Sequence, residues 1–214
     1  MAKPYWDVVN AWGGKHEEFY QGEELGKTVT VNVRFDQSGV AKGVNVDGGI
    51  CFAICQQWVK LRKTRGHISM NRFKSGSSTM QMCKGNQSKD WLCQDSYSLS
   101  GFTTHFTKRS NFWRRLTSRN KVSAAVFNTP GLYIYSAYDK HGKSGHAVAF
   151  DTRVSHGFCF MDPNAGQFWY GSGSKPTKAA WQNWFYDYWE NDWLEYKKSF
   201  RKGNRELCRY ASSG

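Results

Sequence analysis

The sequence predicts an α+β chain on three observations. An apolar stripe at helical spacing begins at Cys51, four short apolar segments between 131 and 171 are divided by turn residues, and a stripe of aromatics at helical spacing follows Pro176. Strands grouped together with helices before and after them characterise this class.

Residues 1–27 mix aromatics with Gly and charge in no sustained period, predicting a short helix or loop packed on the body. Thr28 to Phe35, TVTVNVRF, alternates β-branched and polar residues and is predicted as a strand, with a turn at Asp36-Gln37-Ser38-Gly39. In CFAICQQWVKLRK, Cys51, Ile54, Cys55, Trp58 and Leu61 fall on one helical face, so a helix starts close to Cys51. Residues 64–128 are polar, basic and rich in Ser and Gly; a helical stretch from about Asn111 to Thr117 is predicted there, and no other order is legible. GLYIYSAYD at 131–139, HAVAFDT at 146–152, FCFM at 158–161 and QFWYG at 167–171 then read as consecutive strands of an antiparallel sheet. Pro176 stands where the last helix begins, and Trp181, Trp184, Phe185, Tyr188 and Trp189 form its buried face in a helix running on to Phe200.

Composition bounds the rest. A length of 214 residues suits one domain spanning 1–214. The apolar fraction of 39% and charged fraction of 22% exclude disordered and fibrous classes. Thirty Lys and Arg against seventeen Asp and Glu, a net charge of +13, make anionic partners the favoured ones, and an anionic membrane surface is among those the charge allows. No nucleic-acid motif is present, so no nucleic-acid partner is expected. Cysteines at 51, 55, 83, 93, 159 and 208 follow no secretory leader in MAKPYWDVVN, which predicts free thiols. No apolar run approaches the roughly eighteen residues of a transmembrane helix, so a soluble chain is expected.

Three groups carry chemistry. A thiol reacts as the thiolate, and the unpaired N–H groups and dipole of a helix N-terminus favour that anion. Cys51 stands at such a terminus, after Gly48 and Gly49, which permit a tight turn and close approach of a substrate backbone. The ordinary role of a cysteine so placed is structural, and the other two groups raise it above that. Ser144-Gly145-His146 opens an apolar strand and holds an imidazole at a sheet edge. Asp162, in FMDPNAGQF, is extended by the following proline at a strand end, 16 residues after the histidine. Adjacent antiparallel strands then bring His146 and Asp162 together, where a carboxylate fixes the tautomer of the ring.

GGICFAICQQWV, SGHAVAFD and FMDPNAGQF, in this order, resemble the signature blocks of YopT-type cysteine proteases over about 40 residues. Residues 66–128 and both termini carry no such likeness. The resemblance implies a papain-like fold, a central helix bearing the nucleophile against an antiparallel sheet, with Cys51 as nucleophile, His146 as general base and Asp162 as its orienter. It implies an endopeptidase acting on a protein substrate through a thioester acyl-enzyme without cofactor, and a secreted bacterial effector or toxin working in a host or target-cell cytosol. Papain-like enzymes use an amide donor for the oxyanion shortly before the cysteine. Asn45 is the candidate, its alternative being to shape the turn before Gly48; Asp47 is an acceptor when ionised and suits the role less.

Competing readings are weaker. Cys55 lies inside the helix without terminal activation and is expected in the core. Cys51, Cys55 and His146 lack the hairpin spacing of zinc ligands, so no metal is expected. His16, His67, His105, His141 and His156 sit in polar or turn contexts and are expected at the surface, and most of the Lys and Arg excess is expected to be solvated. A glutamine deamidase, transglutaminase or other acyltransferase shares the triad. A basic binding module on the same scaffold is the reading from another class, and three intact reactive blocks argue against it.

Overall fold

The computed structural model describes residues 13–25, 32–35, 41–45, 50–87, 104–106, 122–138, 145–190 and 205–210. Among these, seven strands form one antiparallel sheet: β1 (Lys15–Glu18), β4 (Thr104–Phe106), β5 (Leu132–Tyr138), β6 (Gly145–Asp151), β7 (Cys159–Asp162), β8 (Gly166–Trp169) and β9 (Arg205–Tyr210), in the order β1-β8-β7-β6-β5-β9-β4. β2 (Asn32–Phe35) and β3 (Ala41–Asn45) form a separate hairpin. The α+β expectation holds, and the four segments expected as consecutive strands are β5 to β8, each paired to the next.

α2 (Cys51–Arg65) crosses one face of the sheet, with α3 (Ser78–Gln87) beside it. α4 (Val122–Asn128) and α5 (Lys178–Glu190) cover the other face. The pleat explains how both faces are filled. Ala147 and Ala149 of β6 face α2, and their small side chains let it lie close; Val148 and Phe150 face α5. The aromatic stripe on α5 is core, as expected: Phe160 sits 5.2 Å from Trp184 and 5.1 Å from Tyr188, both edge-on, and Trp181 and Trp184 stack at 5.3 Å along the helix. Such pairs contribute about 0.5–1.5 kcal/mol each beyond their burial. The helix begins two residues after Pro176, with Thr177 Oγ1 accepting from the Ala180 N–H at 3.2 Å as its cap.

α2 is tethered to the sheet by polar groups. Trp58 Nε1 donates to Gln167 Oε1 at 3.2 Å, and Gln167 Nε2 donates to Glu17 Oε2 and to the Ile68 carbonyl. Leu61 is only partly buried; its neighbour Arg62 is fully buried instead. The Arg62 guanidinium bonds Asp151 Oδ2 at 2.9 Å and the carbonyls of His156 and Gly157, while Arg153 holds both oxygens of the same carboxylate. Arg62 is thus an exception to the expected solvated basic face, its Nε partnered by a carboxylate and its Nη2 by two carbonyls.

The described part of the amino-terminal region has the short helix that was expected and, in addition, a strand that was not. It supplies both the edge strand β1 and a short helix, α1 (Gln21–Leu25). Its strand, KHEE, carries no apolar alternation, since pairing to β8 and not burial makes it a strand. Gly166 permits that pairing: its φ is +108°, and a Cβ there would fall 2.0 Å from the Glu17 carbonyl. The expected helix at 111–117 and the extension of α5 to Phe200 lie outside the described residues. Among the described residues, no helix is long and apolar enough to cross a membrane.

Candidate active site

α2 starts at Cys51 itself. Its N-cap, Ile50, supplies no side-chain cap, and no acidic residue occupies the first turn, whereas Arg62, Lys63 and Arg65 lie in the last. The positive end of the helix dipole is therefore left for the group at its mouth, and the 7% exposed Cys51 thiol is that group. Cys55 lies one turn deeper, fully buried, as expected. Burial, then the proximity of Cys51, Asp162 and Cys83, pushes its thiol well above the usual value. Burial pushes Cys83 and Cys159 up to about 12.

His146 is the second residue of β6, and Asp162 the last of β7. By the pleat both share the face of Val148, Phe150 and Phe160, toward α5, whereas Cys51 arrives from the α2 face. They meet because His146 lies where the strand ends and its ring reaches the helix mouth. His146 Nε2 and Asp162 Oδ1 are 2.9 Å apart, with side chains 5% and 0% exposed, and the same imidazole is hydrogen-bonded to the Cys51 thiol. Burial works against a charged imidazole. The Asp162 charge and hydrogen bond, then the Cys51 contact, outweigh it and raise His146 to about 10.

Asp162 is held as an anion by several donors. Burial alone would raise its pKa, but the charge and hydrogen bond of His146, the Tyr188 hydroxyl at 2.6 Å from Oδ2 and the Asn164 N–H at 2.7 Å from Oδ1 bring it below the ordinary carboxylate value. The structure thus brings Cys51, His146 and Asp162 into one contiguous group. Asn45 closes β3 opposite Asn32; its side chain, like Asp47, Gly48 and Gly49, lies outside the described residues.

Three residues of this neighbourhood were not singled out as site residues by sequence. Tyr188 belongs to the aromatic stripe, yet a buried tyrosine among Trp and Phe needs a hydroxyl partner, and that was the available signal. Asn164 lies in the turn after β7, and its backbone N–H closes an Asx turn on Asp162. Gln21, 4% exposed, had no sequence signal at all, being 29 residues from the Ile50 it contacts. Of the histidines expected at the surface, His67 is exposed, its ring 4.5 Å from that of Trp169, whereas His16 and His156 are partly buried; His105 and His141 lie outside the described residues. The cysteines at 51, 55, 83, 159 and 208 are free thiols, and Cys93 lies outside the described residues.

No protein-family model matches the chain. It is 21% identical over 197 residues to the cysteine protease YopT of Yersinia pseudotuberculosis, across 78% of this chain and 60% of YopT. The chain therefore spans about 60% of the length of that curated relative. Among solved structures it matches the Pseudomonas avirulence protein AvrPphB with a TM-score of 0.54 and 14% identity, covering 79% of this chain and 96% of the other. The resemblance carried by the blocks at Cys51, His146 and Asp162 is borne out: the chain is similar in sequence to YopT and has the fold of AvrPphB.

Proposed function

We propose that the protein is a papain-like cysteine protease, an endopeptidase in which Cys51, His146 and Asp162 are the triad. The observation that carries this is the buried line of contacts from the Cys51 thiol through the His146 ring to Asp162 Oδ1 at 2.9 Å. With Nε2 turned to Asp162, Nδ1 is the ring nitrogen that exchanges a proton with sulfur. His146 takes the Cys51 proton, and the thiolate forms a bond to the carbonyl carbon of the scissile peptide as the π electrons move to oxygen. Collapse of this adduct breaks the C–N bond, and the imidazolium gives its proton to the leaving amine. Water, deprotonated by His146, then attacks the thioester carbonyl; the C–S bond breaks to release the carboxylic acid, and the imidazolium returns its proton to the Cys51 sulfur. The Cys51 N–H at the helix mouth and the Asn45 amide serve the oxyanion. Asp162 stays ionised and orients the ring.

A protein substrate is in keeping with the likeness to a cysteine protease, and a bacterial effector role with the likeness to an avirulence protein. The test is labelling by an irreversible papain-type inhibitor, located by peptide mass spectrometry. Cys51 is expected to be modified in the wild type and left unmodified in His146→Ala; absence of label at Cys51 in the wild type refutes the reading. Mass analysis of treated candidate proteins then separates cleavage from deamidation or acyl transfer.

A further inference from the structure

Gln21 links the two halves of the candidate site. It opens α1, far in sequence from the triad, and is 4% exposed. Its Oε1 accepts from the Ile50 N–H at 3.0 Å, the residue directly before Cys51. Its Nε2 donates to Asn164 Oδ1 at 2.7 Å, and its backbone N–H donates to the Pro163 carbonyl at 2.8 Å. Asn164 in turn donates its own N–H to Asp162 Oδ1, the oxygen that holds His146. One planar amide thus spans the gap between the mouth of the nucleophile helix and the turn that follows Asp162.

The chemistry of each contact specifies glutamine. The Ile50 N–H demands an acceptor, the Asn164 oxygen demands a donor, and only a side-chain amide of this length offers both from one rigid group. Glutamate keeps the acceptor and opposes a second oxygen to Asn164 Oδ1. Methionine keeps the volume and offers neither.

We propose that Gln21 is a positioning residue that sets the separation between the Cys51 thiol and the His146–Asp162 pair. It touches neither substrate nor the reacting atoms. This rests on the triad reading above, because only there does the thiol–imidazole separation govern reactivity. A misplacement of about 1 Å lowers reaction rates by roughly a hundredfold, so a loosened brace is expected to cost about tenfold or more.

The experiment measures iodoacetamide modification of Cys51 against pH, read by peptide mass spectrometry, in the wild type, Gln21→Met, Gln21→Glu and His146→Ala, with circular dichroism to confirm the fold. In the wild type, pairing with His146 is expected to accelerate modification at mildly acidic pH, and His146→Ala to remove that acceleration. Both Gln21 variants are expected to lose about tenfold of the acid-side rate and to converge on the wild type at alkaline pH, where thiols in general react without a partner. A residue that only stabilises α1 would lower the melting temperature and leave the pH profile in place. Folded Gln21 variants with the wild-type profile overturn the proposal and leave the triad reading standing. A wild-type rate that His146→Ala does not change removes the triad reading itself. Gln21→Glu is nearly isosteric and keeps the Ile50 bond, so it carries the test should Gln21→Met not fold.

Discussion

Replacing Tyr188 with Phe removes one oxygen from the interior and nothing else. That oxygen donates to Asp162 Oδ2 at 2.6 Å, and both residues are 0% exposed. A hydrogen bond to a charged group contributes about 1.5–3 kcal/mol, and no bulk water is present to replace it. At about 2–4 °C per kcal/mol for a chain of this size, the melting temperature at neutral pH is expected to fall by about 3–12 °C. The sign of the pH dependence follows from Asp162. Its pKa is lowered on folding, so the stability contributed by donors to its carboxylate is present above the unfolded value near 3.9 and lost as pH falls through the lower folded value. The deficit of Tyr188→Phe is therefore expected to be level from neutral pH down to about 5 and to shrink below about 4. The assay is thermal unfolding by circular dichroism of both proteins across that range, with iodoacetamide modification of Cys51 as the functional readout. Since His146 and Asn164 still hold Oδ1, the Cys51 rate is expected to stay within a few-fold. A shift under about 1 °C at neutral pH, or a deficit unchanged in acid, refutes the reasoning.

Cys51→Ala and His146→Ala are each expected to abolish turnover of an identified protein substrate, with Asp162→Ala retaining a residue of activity; the double change is expected to be little worse than either single one, and full activity in Cys51→Ala sinks the assignment. In a competition time course with iodoacetamide at mildly acidic pH, Cys51 is expected to be modified well before Cys55, Cys83 and Cys159, whose thiols burial pushes up; equal rates argue against activation. Asp151→Ala strands the fully buried Arg62 charge and is expected to cost about 3–5 kcal/mol in urea unfolding, part of which Arg62→Met restores in the double variant; no recovery counts against the ion pair as the cause. Sedimentation with anionic vesicles is expected to capture the protein at low salt and release it near 1 M, where the Debye length falls to about 3 Å, with Lys60 and Arg65 contributing and the buried Arg62 not; capture that is equal on neutral vesicles refutes a charge-driven surface.

What could be read from sequence, and what could not, divides along a physical line. Cys51, His146 and Asp162 each sit at the end of a strongly patterned element, so local periodicity locates them: helical spacing places Cys51 at the start of α2, and apolar runs place His146 and Asp162 at the ends of β6 and β7. β5 to β8 were legible for the same reason, being buried strands joined by turns. β1 was not, because KHEE earns its strand from pairing with β8 and from the absence of a Cβ at Gly166. Arg62 departs from the solvated majority of the basic residues without a local signal, because the Asp151 that pairs with it is 89 residues away.

The supporting groups were the least legible part, for a reason that also bears on how the site is built. Reactive groups have few chemical substitutes, so thiol, imidazole and carboxylate announce themselves. Tyr188, Asn164 and Gln21 supply ordinary hydroxyls and amides, and only distance distinguishes them from the rest of the chain. Each meets the site from a different element: α5, the turn after β7, and α1. Because His146 and Cys51 come from opposite faces of the sheet, no single element can hold their spacing. Tyr188 fixes the carboxylate from the α5 side, and Gln21 ties that same turn to the mouth of α2. The thiol–imidazole contact is thus a property of how the amino-terminal segment, the central helix and the carboxy-terminal helix close on one turn, which makes the variants Gln21→Met and Tyr188→Phe informative in different ways. The first is expected to loosen the distance between the two faces, and the second to weaken one face while leaving that distance in place.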